Sequence, residues 1–149
     1  LPLRFNLSYI DSNGEKKTPI LIHRALFGSF ERFIGIITEH FAGAFPVWLA
    51  PVQVKVLPIS DSQKEYAEKI VEKLSKEGLR VEIDDRQEKI GYKIREAQLQ
   101  KVPYMLILGE KEVESKSVGV RSRKDGDIGA MEADEFVNKI KEEINNFTR

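Results

Sequence analysis

Cysteine is missing from the chain, which excludes disulfide bridges and thiolate metal ligands and permits a cytosolic home. Charge of one sign is missing too. The 24 basic side chains are matched by 24 acidic ones, so the overall balance gives no reason to expect nucleic acid or a membrane surface. No apolar run approaches the roughly 20 residues that a membrane-spanning helix needs. No secretory signal pattern follows Leu1. Histidine occurs only at His23 and His40. Nothing resembles a nucleophile–base–acid set, and no glycine pattern of the usual phosphate-cradling kinds is present.

What remains is a chain of 149 residues, 41% hydrophobic, which can build the core of one medium domain, or of a small domain joined to part of another. Charge is locally uneven. Arg86, Lys89, Lys93, Arg95 and Lys101 outnumber Glu88 and Glu96, and later Lys111, Lys116, Arg121, Arg123 and Lys124 outnumber Glu112 and Glu114. Acidic residues gather near the end, at Glu132, Asp134, Glu135, Glu142 and Glu143. A neutral protein with this pattern can carry one basic face, or simply a solvated surface.

Periodicity predicts two regions. Residues 3–10 alternate as a strand, Ser12-Asn13-Gly14-Glu15 signals a hairpin turn, and Thr18 to His23 reads as the return strand. A helix begins at the capping Ser29 and runs to His40, with Phe33, Ile36, Ile37 and Phe41 on one stripe. Gly43, Pro46 and Pro51 mark a linker, with Trp48 inside it, and this is the expected domain boundary. Types then alternate: strand over 52–59, helix over 62–77 stopped by Gly78, strand over 79–83, helix over 89–101, and an apolar strand over 104–108. In the strand 118–122, Val118 and Val120 face one way while Gly119, Arg121 and Arg123 face the other. "KDGDIG" reads as a turn, and 132–147 as a last helix with Phe136, Ile140 and Ile144 inward. This order predicts an α/β fold: a mixed, largely parallel sheet flanked by helices, preceded by an antiparallel hairpin and a helix.

Few residues are candidates for chemistry. His23, at a strand end beside Arg24, is either a hydrogen-bonded core histidine or a metal ligand. His40 is explained by the dipole of the helix it ends. Arg32 lies one turn past the cap in an apolar segment, where an unpaired guanidinium is costly. It calls for a carboxylate of its own chain or for a phosphate.

The string "IHRALFGSFERFIGIITEHFAGAFPVWLAPVQV" resembles motif 3 of class II aminoacyl-tRNA synthetases, in the form found in bacterial-type threonyl-tRNA synthetases. "RQEKIGYKIREAQLQKVPYMLILGEKEVESKSVGVRSR" resembles the anticodon-binding domain that follows in that family. The likeness is collinear from about Arg4 onward. It implies that residues 1–46 are the closing edge of a catalytic domain and that residues 47–149 form an anticodon-binding domain. Arg32 then matches the motif 3 arginine that contacts ATP, and Ser29 falls at a substrate-facing step, or serves only as the cap. His23 matches one of three zinc ligands, on a metal that binds threonine directly. Anticodon contacts align with Gln87, Lys89, Arg95, Glu112 and Arg121. Gln87 stands where asparagine is expected, and Glu112 has an alternative as a solvated loop carboxylate.

The resemblance also implies ATP, Mg2+ and Zn2+ as cofactors, and threonine tRNA, ATP and threonine as partners. It further implies a cytoplasmic enzyme that is a homodimer when full length. Motifs 1 and 2 and the other two zinc ligands, one of them a cysteine, have no counterpart in this sequence. The chain by itself is therefore expected to be inactive as a ligase and to bind an anticodon at most weakly. An alternative is a stand-alone RNA-binding relative of the anticodon domain, without catalysis. A flavodoxin-like binder of small molecules would lack the phosphate loop it needs.

Overall fold

Asp11 organises the first turn of the chain. Its Oδ1 accepts the backbone N–H groups of Asn13 and Glu15, each at 2.9 Å, and Lys17 pairs with its carboxylate. This sets β1 (Tyr9–Ile10) antiparallel to β2 (Lys16–Lys17), with Tyr9 opposite Lys17. The hairpin is therefore where the sequence predicts it but far shorter than 3–10 and 18–23. Leu3, Phe5, Ile20 and Ile22 are exposed, and two residues a side cannot bury them. In this computed structural model, which describes residues 1–25 and 27–148, the chain divides into two units, Leu1–Ile36 and Ile37–Arg149.

Helix α1 spans Phe30–His40. Ser29 starts it, with its Oγ accepting the Arg32 N–H at 3.3 Å. The expected apolar stripe is only half covered: Phe33, Ile37 and Phe41 are partly buried, whereas Ile36 is exposed. Phe27 stacks on Phe33 within the first unit, with ring centroids 4.4 Å apart.

The second unit is built on a five-stranded sheet in the order β4-β3-β5-β6-β7. Its strands are β3 (Val54–Pro58), β4 (Val81–Ile83), β5 (Tyr104–Leu108), β6 (Ser117–Ser122) and β7 (Gly126–Glu132). The first three are mutually parallel, as the strand–helix–strand order predicts, and β6 and β7 add antiparallel pairs. The helices are α2 (Lys64–Lys76), α3 (Ile90–Leu99), the short α4 (Glu110–Ser115) and α5 (Ala133–Asn145). The sequence reading missed α4 and β7. Gly126–Glu132 holds two glycines and an aspartate, so it lacks the apolar run that announces a strand.

Alternation along the strands sorts the two faces. Val54, Val56, Leu106, Leu108, Val118 and Val120 enter the main core with Leu74 of α2 and Phe136 and Ile140 of α5. On the other face, Leu57 and Met105 pack against Ala97, Ile90 and Ile94 of α3. Gly119 and Arg121 stand on this second face, opposite Ile107 and Met105 respectively.

The segment between α1 and β3 is not a free linker. Arg80 donates to the carbonyls of Ala50 (2.8 Å) and Trp48 (3.0 Å). Arg123 donates to those of Phe45 (2.8 Å), Ala44 (3.2 Å) and Lys101 (2.5 Å). Burial pushes the Arg123 guanidinium below its ordinary pKa, and these carbonyls are its compensation.

Candidate nucleic-acid interface

The parallel strands β4, β3 and β5 end on one edge. The chain runs from β3 through α2 to β4, then crosses by α3 to β5 on the far side of β3. That reversal leaves a crevice at the carboxyl ends of β3 and β5, where open α/β sheets take ligands. A cleft of about 400 Å³ opens on this edge, bordered by Pro58 at the end of β3, by Ile59 and Asp61 just beyond it, and by Gln87, Lys89 and Lys93 after β4.

Gln87 and Lys89 lie in the loop from β4 to α3, and Lys89 immediately precedes the helix. The Gln87 amide donates to Asp61 Oδ2 at 2.9 Å. The loop is held by Arg86. Its Nε and Nη2 reach the two carboxylate oxygens of Asp84 at 2.8 and 2.7 Å, and the same guanidinium pairs with Glu96 of α3. The Arg86 hydrogen bonds hold the buried Asp84 carboxyl below its ordinary range, and Arg86 itself is raised by Asp84 and Glu96. Arg86, and then Tyr92, lower Glu96, while Tyr92 is raised chiefly by its hydrogen bond to Glu96.

Glu112 lies in α4 rather than in a loop. Its Oε2 accepts the Gly109 N–H at 2.9 Å, at the start of that helix. Its other oxygen is 3.8 Å from where a Cβ of Gly119 would stand, so the carboxylate borders the second face of the sheet. Arg121 is two residues along β6 on that face, and its buried Nε has no partner among the described residues. Arg95 is exposed on α3, the helix packed on the same face. The five residues expected to read an anticodon thus fall on one edge and one face of the sheet.

The first unit presents its candidates differently. Arg32 is exposed on α1, not buried as its apolar neighbours led us to expect, because that helix buries no residue. No carboxylate pairs with it among the described residues. Ser29 Oγ is engaged as the helix cap. His23 is exposed and lies outside any strand, so the reading of it as a core histidine at a strand end is corrected. No three metal-binding side chains cluster among the described residues, so His23 supplies there one of the three or four donors that a zinc ion takes.

Asp61, Lys93 and the Asp84–Arg86–Glu96 network were not singled out from the sequence. Lys93 had a signal: it falls between Ile90 and Ile94 on the inward side of α3.

Known proteins share the sequence pattern and the fold. The anticodon binding domain family matches residues 53–143. A threonine–tRNA ligase of Clostridium tetani is 65% identical over 146 residues, covering 98% of this chain and 23% of that protein. One from Caldanaerobacter subterraneus is 64% identical over 144 residues, covering 97% of this chain and 22% of the relative. The chain thus spans about a quarter of the length of these curated relatives. The crystal structure of the RNA binding domain of threonyl-tRNA synthetase from Cryptosporidium parvum superposes with a TM-score of 0.73 at 38% identity, over 95% of this chain and 36% of that one. Prolyl-tRNA synthetase from the same organism gives 0.66 at 23% identity over 98% of this chain and 32% of that one, a likeness of fold alone.

Proposed function

The chain belongs to the anticodon-binding domain family, and from that we propose that it is part of a threonine–tRNA ligase, in which residues 47–149 recognise the anticodon of threonine tRNA. The observation that carries this reading is the placement of Gln87, Lys89, Arg95, Glu112 and Arg121 around one edge of the sheet and the face on which α3 packs. Unpaired bases expose donor and acceptor edges. Gln87, Glu112 and Arg121 supply both kinds of group, while Lys89 and Arg95 suit the backbone phosphates. Arg121 is central because it stands on that face beside Glu112, and its buried Nε has no partner among the described residues.

Residues 1–46 then belong to the catalytic domain of the longer enzyme and contribute motif 3. Arg32, a planar cation held outward on a helix, suits the polyphosphate of ATP, and Ser29 sets that helix's start. His23 would be one zinc ligand among others from outside this chain. The intact enzyme would join threonine to its tRNA using ATP, as a cytoplasmic homodimer.

Arg121→Ala tests the reading. It is expected to weaken binding to a threonine anticodon stem-loop about tenfold or more, with little change for a stem-loop bearing another anticodon. Equal losses for both would mean unspecific electrostatics and would reject the assignment.

A further inference from the structure

Lys93 is only 2% exposed, an unusual place for an ammonium group. Its Nζ donates to the Pro58 carbonyl at 3.0 Å, at the end of β3. An ammonium carries three donors, and Lys93 has no other hydrogen-bond acceptor among the described residues. Asp84, the nearby buried carboxylate, is already taken bidentately by Arg86. A buried cation with unspent donors is costly unless something completes its shell. The side chain lines the cleft at the carboxyl edge, where Asp61 and Gln87 meet.

The charges of this cleft argue against a phosphate as its occupant. Lys64 pairs with Asp85 at 2.6 Å, and Arg86 is spent on Asp84 and Glu96. Lys89 and Lys93 remain, against Asp61 and Glu88. There is no surplus of positive charge, but a donor, Lys93, and an acceptor, Asp61, border the same cleft, with Pro58 and Ile59 as apolar walls. That pattern complements a planar group that sets a carbonyl oxygen next to an N–H.

We propose that Lys93 is a further specificity-determining residue of this protein, donating from the cleft floor to the carbonyl oxygen of an unpaired keto base, guanine or uracil, whose adjacent N–H is accepted by Asp61. This rests on the anticodon reading above and adds to it a pair of groups and the class of base they take. Adenine and cytosine carry a ring acceptor beside an amino group instead, and would have to turn over in the cleft to meet the same two groups.

The test uses the whole chain and synthetic stem-loops carrying the threonine anticodon, each loop base replaced in turn by an abasic nucleotide. Lys93→Met keeps the buried stem and removes the charge. It is expected to weaken binding about tenfold or more. At one position, occupied by guanine or uracil, the abasic replacement should hurt the unaltered chain and no longer hurt the variant. Full affinity in a folded variant, or losses that add independently at every position, would overturn the proposal. If the variant does not fold, the Lys93 Nζ resonance of the unaltered chain decides. A shift on adding the stem-loop supports the contact, and no shift while the Gln87 amide moves overturns it. An unaltered chain that ignores the anticodon altogether would instead reject the anticodon reading, and this proposal with it.

Discussion

Arg123→Ala should loosen the start of the segment before β3, at Ala44 and Phe45, while Arg80 still holds Trp48 and Ala50. The guanidinium donates to three backbone carbonyls, of Ala44, Phe45 and Lys101. One hydrogen bond from a charged donor contributes about 1.5–3 kcal/mol. The three share one partly exposed side chain, and the freed carbonyls can take up water, so the bonds do not add. A loss of about 2–3 kcal/mol is expected. With a urea dependence of about 1–3 kcal/mol per molar, the unfolding midpoint should fall by roughly 1 M. Arg123→Lys should recover only part of this, because an ammonium lacks the fork that spans several acceptors. Stem-loop affinity under native conditions should hold, since Arg123 bonds to Pro103 at the edge opposite the cleft. A midpoint within about 0.2 M of the unaltered chain would refute the clamp.

Acid should act through Asp84. Its folded pKa is lowered by Arg86, so the stability it lends is complete above the unfolded value of about 4 and is lost as pH falls toward the folded value. Arg86→Leu should therefore destabilise the chain clearly at pH 7 and less at pH 3 in urea melts, and a gap that does not narrow would contradict this pairing. Gly109→Ala would bring a Cβ to 2.9 Å from Glu112 Oε2 and 3.0 Å from Ile59 Cδ1. Glu112 should swing off its cap, shifting the amide resonances of α4 and weakening stem-loop binding while the sheet stays intact. Unmoved α4 resonances would show that Glu112 is not held there.

The α/β order was legible because strongly periodic stretches decide it. Tyr66, Ile70 and Leu74 announce α2, and the run from Tyr104 to Leu108 announces a strand covered on both faces. The alternation at Val118 to Arg121 placed Arg121 on the right face, because strand parity survives errors in the ends. Shorter signals failed. Residues 18–23 are apolar enough for a strand, yet no neighbouring strand pairs them among the described residues, and propensity alone does not hold a strand. The apolar neighbours of Arg32 suggest burial, but burial depends on what packs over a helix, which local sequence does not state. Lys93 is hard to see in the sequence because a lysine is ordinarily solvated, although its helical position points inward.

The central claim is that the α/β unit reads bases rather than merely holding a polyanion. The most direct measurement is a titration of the 149-residue chain with stem-loops that differ at single anticodon bases, at one fixed salt concentration. Affinity is expected to fall at particular anticodon positions and to ignore changes in the stem. Identical affinities for every loop, all declining together as salt is raised, would contradict it.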